Sequence, residues 1–97
     1  MSCGGKIANR PDCIDWERSQ KEVLDLAFKN NSTTAQLNIE RQIGAFNNNQ
    51  SNMLCINEHT GLEVFAKDEF CRVVKKFQAN NFVTDKKTNY EIDKFCK

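Results

Sequence analysis

From Asp15 to Asn30 apolar side chains recur at helical spacing. Trp16, Val23, Leu24, Ala27 and Phe28 fall on one stripe, with Gln20 filling its gap. Glu17, Arg18, Lys21, Glu22 and Asp25 take the opposite side, and Glu17 precedes Lys21 by four residues in the favourable order. Pro11-Asp12 marks the entry, with Asp12 or Asp15 as the cap, and Asn30-Asn31 marks the end. After Ser32 or Thr33 a second segment places Ala35, Ile39, Ile43 and Phe46 four, four and three residues apart. That spacing predicts a second helix; the alternation of Leu37 and Ile39 leaves a strand as the rival. A link this short makes the two helices an antiparallel hairpin.

Beyond the polar stretch 47–52 the period changes. Met53-Leu54-Cys55-Ile56 and Leu62-Glu63-Val64-Phe65 are short apolar runs around Asn57-Glu58-His59-Thr60-Gly61. Two such runs with glycine at the turn predict a β-hairpin, which needs helices behind it because two strands alone are marginal. From Asp68 to Asn80 the helical period returns, with Phe70, Val73, Val74 and Phe77 as the buried stripe and Cys71 at its edge. Phe82 and Val83 follow as a short extended piece. Thr88 then caps a last turn or two, where Tyr90 or Ile92 and Phe95 dock. The predicted fold class is α+β: a helical hairpin, then a β-hairpin, then one or two C-terminal helices. Residues 1–10 are expected as a flexible arm and 11–97 as a single globular domain.

Composition narrows the function. Seven Phe, one Trp and one Tyr in 97 residues suffice for one core and leave little chain for an enzyme-type cleft. Net charge is +1, without the basic excess that phosphate-based recognition uses. No run is apolar and long enough to span a bilayer, and residues 1–10 contain no apolar stretch of an export signal, so a cytoplasmic protein is expected. On that premise the five cysteines, odd in number and widely spaced, are expected as free thiols. The frequent Asn, Phe and Lys suit AT-rich coding DNA, as in a phage- or virus-encoded modulator of a host machine.

No catalytic constellation is legible. The one histidine, His59, falls in a turn, and Ser2-Cys3-Gly4-Gly5-Lys6 lacks the spacing of a phosphate-binding loop. No cofactor is called for. The leading expectation is a non-enzymatic inhibitor, adaptor or accessory subunit that binds another protein. Trp16, Leu62, Val64 and Phe65 are its candidate interface, with a homodimer through the hairpin edge as one form. A first alternative uses Arg72, Lys75, Lys76, Lys86 and Lys87 to bind an anion such as a nucleotide or RNA. A second takes Cys55, His59 and Cys71, completed by Cys96 (or by Cys3 or Cys13), as a tetrahedral zinc site.

Overall fold

The protein is described here in a computed structural model covering residues 10–97. The expected arm, Arg10 apart, and Cys3 therefore lie outside the described residues. Helices α1 (Cys13–Asn30) and α2 (Ser32–Asn47) come first, and a 3-10 turn (Ser51–Met53) leads into strand β1 (Leu54–Ile56). Strand β2 (Glu63–Phe65) and helices α3 (Lys67–Ala79) and α4 (Lys86–Phe95) complete the order.

Each helix start has a local cause. The Asp12 side chain accepts from the Asp15 N–H at 2.9 Å and caps α1. Asn31 is the whole link to α2: its N–H closes α1 on the Ala27 carbonyl, while its side chain accepts from the Thr34 N–H at 3.1 Å and opens α2. The helix reading of 33–46 therefore holds over the strand. Asp85, not Thr88, caps α4, accepting from the Thr88 N–H at 3.0 Å. The C-terminal turn or two is thus a helix of 10 residues.

α1 packs against α2 and α3, α2 also against α4, and α3 against α4. Trp16, Phe46, Phe70 and Phe95 form one aromatic cluster, with ring centroids 5.2–6.1 Å apart. Phe28, Phe77 and Phe82 form a second, at 5.0–5.6 Å. Trp16 is 6% exposed and directs its indole N–H at the Asn52 carbonyl, so it is a core residue and not the surface anchor expected of it. Val23, placed on the buried stripe by its spacing, is exposed.

The free-thiol expectation is overturned for the four cysteines among the described residues. Cys13 is bonded to Cys55 and Cys71 to Cys96. The first bridge joins the start of α1 to β1; the second joins α3 to the residue after α4. Burial in apolar surroundings, which made the cysteines look like small hydrophobes, is the same environment that a disulfide occupies.

Candidate interaction surface

The hairpin is built from its turn outward. The Asn57 side chain accepts from the His59 N–H at 2.9 Å and from the Thr60 N–H at 3.1 Å. The Thr60 hydroxyl accepts from the Leu62 N–H at 3.2 Å, and Gly61 takes φ +73°, where a side chain would be strained. Backbone bonds from the Asn57 N–H to the Leu62 carbonyl and from the Ala66 N–H to the Met53 carbonyl close the two ends. Between them the register pairs Leu54 with Phe65, Cys55 with Val64 and Ile56 with Glu63.

The two outer edges of this sheet differ. On the β1 side, the Ile56 N–H donates to the Pro11 carbonyl at 2.9 Å, and Asp12 bridges Ile56 in parallel. The Cys13–Cys55 bond clamps that junction one residue further on. On the β2 side, the backbone groups of Leu62 and Ala66 point inward at β1, as do those of Val64 by alternation. The N–H and C=O of Glu63 and Phe65 therefore point outward, and no strand pairs with them among the described residues.

Every side chain of β2 is exposed. Leu62 is 65% and Phe65 41% exposed, and Val64 overhangs the edge opposite the buried Cys55. Phe65 shares the outer face of the hairpin with Leu54 and Ile56. Glu63, on that same face, is held by the Arg10 guanidinium at 2.6 Å. Of the four side chains singled out in the sequence, Val64 and Phe65 lie on β2 and Leu62 directly precedes it; Trp16 does not join them.

The basic cluster is dispersed. Arg72 pairs with Glu17 of α1 at 2.8 Å and with Glu69 at 3.6 Å, and the Glu17 hydrogen bond holds its guanidinium above the ordinary value. Lys75 pairs with Asp93 at 3.2 Å and Lys87 with Glu40 at 3.6 Å. Lys76 and Lys86 stand outside these pairs. Apart from Glu69 on α3 itself, the acidic partners come from other helices, so the adjacency of the lysines in sequence gives no sign of them. Lys76 and Lys21 rim a groove of about 260 Å³ over Phe77 and Phe82, but Glu17 and Asp25 share that rim. The groove carries both signs of charge.

The zinc set is not assembled. Cys55, Cys71 and Cys96 have no thiolate to offer, since each sulfur is bonded to another, and His59 is exposed on the hairpin turn. The Glu69 carboxylate lies within 4.8 Å of the Cys13 and Cys55 sulfurs, but that cluster is a disulfide beside an acid that pairs with Arg72. No described helix is long and apolar enough to cross a membrane.

Family models, curated proteins and solved structures yield no match to this chain. The functional reading therefore rests on the hairpin itself.

Proposed function

We propose that this protein is a disulfide-stapled, non-enzymatic binding protein of an oxidising compartment, which captures an extended segment of another protein along the open edge of β2. The observation that carries this reading is the asymmetry of the hairpin. One edge is sealed by backbone bonding and a disulfide; the other presents two N–H and two C=O groups that are unpaired among the described residues, between exposed apolar side chains. An added strand satisfies those groups and covers Leu62, Val64 and Phe65, which is recognition by strand addition. Two disulfides among the described residues support the compartment, because such bridges persist outside the reducing cytosol.

A foreign segment is a better occupant than a second copy. Antiparallel self-pairing about Val64 sets Glu63 against Phe65 of the other copy and exchanges only four backbone bonds over three residues. A stable dimer buries on the order of 1,200–2,000 Å², more than two such edges meeting supply.

A photo-crosslinking residue at position 65, used in an extract of the organism that encodes the protein, marks the partner. The purified partner is then titrated with wild type and with Phe65→Lys and Val64→Lys. A rise in Kd of about tenfold or more is expected in each variant. Unchanged affinity in both overturns the reading, as does a wild-type protein that sediments as a dimer which both variants dissolve.

A further inference from the structure

The chain carries three Asn-x-Ser/Thr triplets: Asn30-Asn31-Ser32, Asn31-Ser32-Thr33 and Asn49-Gln50-Ser51. This pattern is the acceptor for N-linked glycan in proteins that pass through a eukaryotic export pathway, where it falls on surface loops. The binding reading makes no use of any of them. The disulfides support an oxidising compartment, and the inference rests on that part of the proposed function, with the compartment being that of a eukaryotic export pathway.

The triplets differ in structure. Asn30 and Asn31 sit at the single-residue link between α1 and α2. There the Asn31 side-chain oxygen accepts from the Thr34 N–H, and the Ser32 hydroxyl accepts from the Gln36 amide at 3.1 Å. A sugar on Asn31 loads the side chain that opens α2, and one on Asn30 sits on the last residue of α1, against that one-residue link. Asn49 lies in the open turn after α2. It takes φ +55°, its N–H closes α2 on the Phe46 carbonyl at 3.0 Å, and no hydrogen bond engages its side-chain amide among the described residues. Asn49, Gln50 and Ser51 are all exposed.

We propose that Asn49 is an N-glycosylation site. The donor is a lipid-pyrophosphate-linked oligosaccharide, presented by a membrane-bound oligosaccharyltransferase. The Asn49 Nδ2 forms a bond to the anomeric carbon, the bond from that carbon to the pyrophosphate oxygen breaks, and the lipid pyrophosphate departs with the electron pair. One Nδ2 proton is released to balance it. The step precedes or accompanies folding; the finished fold tolerates the product because the turn faces solvent.

The full chain, secreted from eukaryotic cells behind a cleavable leader, provides the test. Intact mass is read before and after peptide N-glycosidase, and free thiols are counted in the same sample. A glycan mass is expected on the wild type, and glycosidase treatment leaves aspartate at position 49. The step is lost in Asn49→Gln and in Ser51→Ala and kept in Ser51→Thr. A glycan that survives in Asn49→Gln and Ser51→Ala, or is lost only in Asn31→Gln, overturns the assignment. Secreted protein with both disulfides formed and no glycan overturns it while leaving the compartment reading intact. Failure of the disulfides to form in that pathway overturns both.

Discussion

The Cys13–Cys55 bridge allows a quantitative test. Replacing both residues by alanine frees a loop whose ends are 42 residues apart in sequence. Chain-entropy theory puts the loss at about 4 kcal/mol at 25 °C, because the cross-link no longer restricts the unfolded chain. A domain of this size has about 5–15 kcal/mol of stability in total, so the variant keeps the lower part of that range or unfolds outright. In thermal terms the fall in Tm is about 15–30 °C. Urea unfolding followed by circular dichroism measures the free energy. It also reads a second effect: the uncross-linked chain exposes more surface, so the m-value rises. The remaining bridge, Cys71–Cys96, serves as internal control, and thiol titration in denaturant should find the same number of free thiols in wild type and in the variant. A loss below about 1 kcal/mol with unchanged m refutes the entropic account of this bridge.

Cys71 and Cys96 are half-buried, whereas Cys13 and Cys55 are almost wholly enclosed. Mild thiol reductant should therefore open Cys71–Cys96 first in the native protein, with alkylation and peptide mapping as the readout; simultaneous loss of both bridges counts against the difference in access. Gln36, buried, accepts with its side-chain oxygen from the Thr84 N–H at 2.9 Å and the Asp85 N–H at 2.8 Å. Gln36→Met strands both donors and should cost about 2–4 kcal/mol in urea unfolding, a loss that a merely apolar contact at that position does not predict. The Asp93 carboxyl lies below its ordinary 3.8, first through the Gln78 hydrogen bond and then through Lys75. Its folded-state pKa being depressed, the stabilisation is present above 3.8 and fades as pH falls through the folded value. NMR titration should show the Asp93 pKa moving up in Gln78→Ala, and an unmoved value refutes the assignment of cause.

Much of the fold was written in local patterns. The hairpin is legible because both strands are short apolar runs and Gly61 supplies the positive φ that its turn requires. The helical hairpin is legible because Asn31 is both an end and a beginning. The full length of α4 is hard to read because Lys86–Phe95 buries only Thr88 and Ile92, too few positions to display a period, and its cap, Asp85, is hidden inside a polar run. Trp16 was misplaced for a different reason. Spacing shows that it belongs to an apolar stripe, but only the arrival of Phe46, Phe70 and Phe95 from three other helices decides that the stripe is roofed. The cysteines were misread because pairing is a property of distance between elements. Cys13 and Cys55 have Cα atoms 4.9 Å apart across 42 residues, and nothing near either one announces the other. The same holds for Arg72, Lys75 and Lys87, whose partners Glu17, Asp93 and Glu40 stand on neighbouring helices. What remained readable of the candidate site was β2, where exposure and alternation act within a few residues.

The two disulfides close separate loops, 13–55 and 71–96, that neither overlap nor thread each other. During synthesis the first ring can therefore be completed while the second half of the chain is still inside the ribosome, and no premature pairing has to be undone for the second. The segment 56–70 belongs to neither ring and is the sole covalent tie between them. A single proteolytic cut there divides the denatured molecule into two separately cross-linked pieces, whereas a cut inside either ring releases nothing until its disulfide is reduced. The exposed strand β2 lies within this segment, so whatever covers it shields part of the stretch where a protease could part the two halves.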